Sequence, residues 1–266
     1  MMKITLTFIL LVLLLFQCFE NKAQTKDIFN ENLPNKDNTK PPSGIIIDFS
    51  YGVQLPFADM SENFVYNFSL GGKLQYIFSN NFSLGLVGDY QFADQVKQDI
   101  LSNLREEEGF LIDRFGQLSD VQLGQRGFFL GASVAYLIPV LKNYKRSGIE
   151  VRFEGGYVQH WIRMEVLGGE VFGLSGDYSK GYDRMTTGLA LRQYIGYRHL
   201  DKNRLLNFFG GFDFMQAFTK NRRGFNFDTM QEDTKNRLDI LIGFRVGVTL
   251  PIYIYTPETQ EDIRFY

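Results

Sequence analysis

From residue 44 to about residue 255 large apolar side chains return at every second position, in one stretch after another. In GIIIDFSYGVQL the residues Ile45, Ile47, Phe49, Tyr51, Val53 and Leu55 share one parity, and Asp48, Ser50, Gly52 and Gln54 fall on the other. A period of two predicts a β-strand with chemically opposite faces. Eight such segments can be laid out, at about 44–55, 66–78, 82–92, 127–138, 147–163, 184–198, 206–218 and 237–254. The connections at about 79–81, 139–147 and 199–204 are short, and those at about 56–65, 93–126, 164–183 and 219–236 are longer. Short and long alternate, as in an up-and-down barrel whose turns lie at one end and whose loops lie at the other.

The stretch SGIEVRFEGGYVQHWIR, residues 147–163, poses the question of which face meets solvent. Ile149, Val151, Phe153, Tyr157 and Trp161 share one parity, and Glu150, Arg152, Glu154 and His160 share the other. A soluble eight-stranded barrel of the lipocalin kind is the rival architecture. Its interior is only wide enough to be filled by side chains or one small ligand, so on the order of forty large apolar residues cannot all point inward. The polar parity suits a lumen better. It carries Gly71, Gly85, Gly131, Gly156, Gly188, Gly196, Gly211, Gly243 and Gly247 between its charges, and glycines inside strands mark close approach rather than strand strength. Aromatic residues gather near both strand ends, with Tyr76, Phe78, Phe82, Tyr197 and Tyr253 at one and Tyr90, Phe92, Tyr157 and Trp161 at the other. Two girdles of this kind are expected at two membrane interfaces. The predicted fold is therefore all-β: a closed, antiparallel, eight-stranded transmembrane up-and-down barrel.

Composition changes the picture mainly at the ends. The opening MMKITLTFILLVLLLFQCFENKAQ sets a lysine before an apolar run from Ile4 to Phe16. That run is short for a membrane span and fits the core of an export signal. The expected divisions are a signal peptide over 1–23, a flexible periplasmic arm over 24–43, the barrel over 44–255 and a periplasmic tail over 256–266. The only cysteine, Cys18, raises the alternative of a lipidated N-terminus; otherwise no thiol remains for disulfides or nucleophilic catalysis. A net charge of −2 with scattered basic residues argues against a nucleic-acid partner. Two histidines, far apart in sequence, argue against a transition-metal site, and no cofactor is expected. GGEVFGLSG is glycine-rich but opens no helix, so a phosphate-loop reading fails on context.

With the polar parity inside, Asp48, Asp89, Glu150, Glu154, Asp213 and Asp239 face Lys73, Arg152, Arg192, Arg198, Arg237 and Arg245. Six against six is the balance expected of a paired, salt-bridged plug, because unpaired charges in a narrow dry lumen are very costly. A gated or proton-sensitive path is the alternative use of the same residues. His160, high on the fifth segment near Trp161, is the one catalytic candidate. Glu165 or another carboxylate would orient its ring, and Ser175 lies downstream. In the long loop, Val96, Ile100, Leu101 and Leu104 recur at helical spacing and Phe110, Leu111, Ile112, Phe115 and Leu118 follow. These residues predict either a short helix capping the barrel's own mouth or an exposed face that docks a protein, for which Val96, Ile100, Leu104, Phe110 and Phe115 are the candidates.

The phrase LQYIFSNNFSLGLVGDY resembles the strand–turn–strand of small outer-membrane β-barrel proteins of the OmpA/OmpX-like superfamily, Bacteroidota type. The signal ending in Ala23-Gln24 and the last strand RVGVTLPI, with Arg245, Gly247, Leu250 and Ile252, are similar to theirs. Pro251 and the tail TPETQEDIRFY depart from the pattern. The resemblance covers about 44–255 and implies residence in a Gram-negative outer membrane, with outer-membrane lipid and the barrel-assembly machinery as partners. It is specific for architecture and not for activity, since such barrels include adhesins, secretion accessories, enzymes and structural proteins; the expectation is a structural or accessory, protein-interacting role and no enzyme. An envelope or secretion-system partner, such as a type IX secretion or gliding apparatus, and a lipid- or peptide-hydrolysing enzyme using His160 are its alternatives.

Overall fold

β-Branched and aromatic residues at every second position favour extended backbone, and each segment finds its neighbour in chain order. The computed structural model describes residues 41–140, 146–200 and 207–253; the expected signal segment, the arm up to residue 40 and the tail lie outside them. The strands are β1 (Gly44–Ala58), β2 (Asn67–Ile77), β3 (Phe82–Ala93), β4 (Leu118–Pro139), β5 (Gly148–Leu167), β6 (Thr186–His199), β7 (Phe208–Asn221) and β8 (Asn236–Tyr253). Every pairing is antiparallel, and β1 against β8 (Gly44↔Tyr253) together with β3 against β4 (Ala93↔Gln125) closes the ring. A closed ring leaves no edge along the wall. Pro251, opposite Ile46, sits at the turn-side end of β8, where the missing donor does least harm.

Two boundaries differ from the sequence expectation. The fourth strand starts at Leu118 rather than about 127, and the fifth continues to Leu167 rather than about 163. The β4–β5 hairpin runs on past the barrel rim, with Asp120 opposite Leu167, and the two-residue strand Leu111–Ile112 pairs with its tip. Alternation is weak in LSDVQLGQR because this extension packs against loops rather than lipid or lumen. The second difference is the helix predicted near 96–104. Only a single 3₁₀ turn forms, Ser102–Leu104. A β-bridge from Phe64 holds Val96, and Asp99 accepts a hydrogen bond from the Leu101 amide at 3.1 Å, closing a turn in place of a helical one; one or two turns of helix would be marginal alone. The short helix that does form, α1 (Met60–Asn63), lies in the first long loop.

The polarity of the wall is inverted relative to a soluble barrel. Phe49, Leu55, Leu70, Leu86, Leu130, Phe153, Leu189, Phe212, Val248 and Leu250 all point outward and are exposed. Lys73, Arg152, Arg192, Arg198 and Arg245 point inward and are buried. Among the described residues no helix is long and apolar enough to cross a membrane.

Candidate functional site: the charged lumen and its loop dome

The lumen holds a continuous chain of ion pairs because inward positions on seven strands carry charges at matching heights. At the turn end, Arg198 of β6 donates from Nη1 to Asp48 Oδ1 and from Nη2 to Oδ2 of the same carboxylate, each at 2.8 Å, and pairs through Nε with Glu150. Thr249 donates to Asp48 at 2.7 Å, and Lys73 lies 3.1 Å from Asp48 and 3.4 Å from Glu150. Arg152 links Glu150, at 3.7 Å, to Glu154, at 3.1 Å. Arg192 joins Glu154 to Asp89, and Arg245 joins Asp89 at 3.1 Å to Asp213 at 3.2 Å. Gln54 donates to Asp213 at 2.6 Å and accepts from Asn67 at 2.7 Å, ending the chain in neutral amides. Arginine suits these roles because its planar fork serves two carboxylates at once.

The space between the charges is filled rather than open. Arg152 stacks over Tyr194 with 4.1 Å to the ring centroid, and Arg192 and Arg198 lie over Phe129 and Phe209 at 4.7 Å each. A residual void of about 10 Å³ among Asp48, Lys73, Asp89, Arg152, Arg192 and Arg245 has room for about one water. Glycine makes the fit possible: a Cβ on Gly71 would stand 1.8 Å from Asp89 Oδ1, and one on Gly247 would stand 2.5 Å from the Phe209 ring. Below the charges, buried Ile46, Ile77 and Leu200 close the turn end.

The twelve residues expected in the lumen do not all meet. Five carboxylates (Asp48, Asp89, Glu150, Glu154, Asp213) and five cations (Lys73, Arg152, Arg192, Arg198, Arg245) form the chain. Arg237 departs from the expectation. It shares the inward parity but stands above the rim, where it pairs with Asp233 in the last loop. Asp239 consequently turns to His160, whose Nε2 donates to its Oδ2 at 2.9 Å, while Thr219 donates to the same oxygen at 2.6 Å.

His160 is not at an open rim. It is 4% exposed, with the Phe64 ring edge-on at 5.8 Å. Glu165 lies on the outward parity and pairs with Arg163, and Ser175 donates to the Phe172 carbonyl. Neither approaches the imidazole; the orienting carboxylate is Asp239, some eighty positions away in sequence and visible only once the barrel closes. His199 lies at the turn end of β6 with its ring 5.3 Å from Phe208.

Above this pair the long loops fold inward as a dome. Met60, Phe64, Ile100, Leu101, Leu111, Val121, Ile162 and Val171 are buried in one apolar cluster continuous with lumenal Phe129, Val158, Met215 and Leu241. Of the five docking candidates, Ile100 is 0% exposed and Val96 and Leu104 pack against the cluster, so they cap the barrel's own mouth. Phe110 and Phe115 remain exposed, the latter 75%. Arg184 binds the loops together: it donates at 2.6 Å to Asn63 of the first loop and at 2.6 Å to Gln98 of the second, and it pairs with Asp228 of the fourth. Its φ of +46° is unusual for a residue with a side chain. Asp183 beside it accepts from Arg223 at 3.0 Å. Burial pushes the Asp233 carboxyl up, but hydrogen bonds from Asn221 and Asn226 and the Arg237 charge outweigh it and hold the group below the usual carboxylate range. On the outer face of the hairpin extension, Asp94, Gln122, Arg126, Arg163 and Glu165 line a polar cleft of about 350 Å³. Among the described residues no cluster of three or more His, Cys, Asp or Glu could hold a metal ion.

No protein-family model and no curated protein matches the chain. Several solved structures do, all at low identity. The attachment invasion locus protein Ail of Yersinia pestis, in complex with the heparin analogue sucrose octasulfate, is 9% identical with a TM-score of 0.40, covering 78% of this chain and 98% of that one. Neisserial surface protein A is 12% identical with a TM-score of 0.38, covering 78% and 99%. The outer membrane protein OprG of Pseudomonas aeruginosa is 12% identical with a TM-score of 0.40, covering 83% and 100%.

Proposed function

We propose that this chain is an integral outer-membrane β-barrel whose lumen is a structural plug and whose working surface is the loop dome. The observation that carries this is the inverted polarity. The exposed outward wall is built of Phe, Leu, Ile, Val and Tyr, and the charged residues are inside and paired. In water such a wall would be a very large apolar patch; in a bilayer it is the surface the solvent demands. Bacterial membranes that accept closed barrels are outer membranes, which accounts for the signal-like start of the sequence.

A lumen packed with ion pairs and arginine–aromatic stacks conducts nothing while they persist, so the barrel serves as an anchor. What it anchors is a dome tied by Arg184, with Phe115, Phe172, Tyr178 and Met230 exposed on it. This is the part that would contact another envelope or secretion-system component. The hydrolase reading through His160 loses its support, because the ring lies under the dome with its only oriented nitrogen committed to Asp239. The test is folding and conduction together. The full chain refolded into bilayers is expected to migrate differently on gels before and after heating and to give no steady single-channel current. A protein recovered in the soluble periplasm, or a wild-type barrel with a stable open channel, overturns the proposal.

A further inference from the structure

The outward wall carries one anomaly. Its side chains are apolar, glycine or tyrosine from the turns up to the loop-side row of Gln159, Thr187 and Lys220, save for Gln193 on β6 and Gln216 on β7; with Gln159 on β5 these make three outward glutamines. These three strands are consecutive in the ring. Gln193 sits at the middle of β6, flanked by Phe153 and Phe214 on the neighbouring strands, and Gln216 lies diagonally across, opposite Leu191. All three are half-buried and face outward, and among the described residues none makes a side-chain hydrogen bond. Gln159 is close to Trp161 and the rim, within reach of headgroups. Gln193 is not.

An amide left without partners in hydrocarbon is costly, and polar side chains at membrane depth commonly serve as contacts between proteins. We infer that the outward face of β6 and β7 around Gln193 and Gln216 is an interface, and that its occupant is a second copy of this chain. The inference rests on the membrane reading above. The second copy follows from the chemistry of the amide. Each glutamine has two N–H donors and a carbonyl acceptor, so the same face turned about a two-fold axis satisfies both kinds of group at once. Lipid tails supply neither, and a membrane-spanning helix has its own backbone groups paired internally. Close approach is also possible here. The cross-strand row that contains Leu191 and Gln216 continues on β5 and β4 with Gly155 and Ala132, leaving a shallow notch beside the amides.

The test uses the full chain in phosphatidylcholine vesicles, with heat-dependent gel migration as the check that the barrel is folded and inserted. Self-association measured by energy transfer between labelled copies is expected to weaken on the order of tenfold in Q193L/Q216L, with unchanged gel behaviour. In a Cys18→Ser background, Leu191→Cys is expected to form a disulfide between copies, and Leu74→Cys, on β2 across the barrel, is not. A monomeric wild type, equal association in Q193L/Q216L, or equal linking through Leu74→Cys overturns the inference. So does capture of a different envelope protein through Leu191→Cys. A chain that shows no heat-dependent migration overturns the membrane reading as well, so the gel separates the two failures.

Discussion

Arg198 and Asp48 meet across the lumen through two parallel hydrogen bonds of 2.8 Å, joining β6 to β1, strands that are not neighbours in the ring. Both groups are buried, and without Asp48 the two cations Arg198 and Lys73 would be left to share Glu150, one buried positive charge in excess. Asp48→Ala is expected to destabilise the barrel by about 3–5 kcal/mol, whereas replacing Asp48 and Arg198 together with apolar residues is expected to cost far less. Urea unfolding from vesicles, followed by the fluorescence of Trp161, the single tryptophan, measures both. Equal losses in the single and double variants would show that the pair is not what holds these charges.

Two adjacent glycines of β2 have opposite duties. A Cβ on Gly71 would lie 1.8 Å from Asp89 Oδ1, while one on outward-facing Gly72 meets nothing nearer than 4.0 Å. Gly71→Ala is expected to destabilise by about 1–3 kcal/mol by displacing the Asp89 carboxylate, and Gly72→Ala to stay within about 0.5 kcal/mol. The same unfolding assay compares them, and a larger loss at Gly72 contradicts the assignment of faces.

The long loops share one cation, Arg184. Arg184→Ala removes charge-assisted bonds to Asn63, Gln98 and Asp228, each contributing about 1.5–3 kcal/mol. The expected outcome is faster hydrogen exchange and protease nicking in the loops around residues 98–109 and 224–230, with barrel unfolding unchanged. Arg184→Lys, which cannot fork to three partners, is expected to rescue little.

Acid loosens the last loop in a predictable direction. Asp233 has its folded pKa held below the unfolded value by Asn221, Asn226 and Arg237 against the opposing effect of burial. Its contribution is therefore fully present above the unfolded value, about pH 4, and is lost as pH falls through the lower folded value. Amide exchange in 222–235 is expected to speed up below about pH 4 relative to Asp233→Asn, which should show a flatter profile.

Much of the architecture was legible residue by residue. Parity is a local property of extended backbone, so Phe49 and Leu70 pointing outward and Asp48 and Lys73 pointing inward can be read without knowing any neighbour. Parity was misleading where height along the barrel mattered. Arg237 has the inward parity but stands above the rim, and the two-residue period carries no record of how far up the lumen a position lies. The helical spacing of Val96, Ile100 and Leu104 correctly grouped residues that bury together, yet a β-bridge to Phe64 takes up Val96 and turns carry the chain on to Leu104, so the grouping survives without the helix.

The sequence by itself determined a barrel with an apolar exterior, a charged interior and loops at one end, because side-chain alternation and connection length are properties of each strand alone. Only the tertiary structure decided that Asp239 pairs with His160, that four loops converge on Arg184, and that three glutamines on consecutive strands share one outward face. Each of these depends on the stagger between strands when the ring closes, and that stagger brings together residues far apart in the chain.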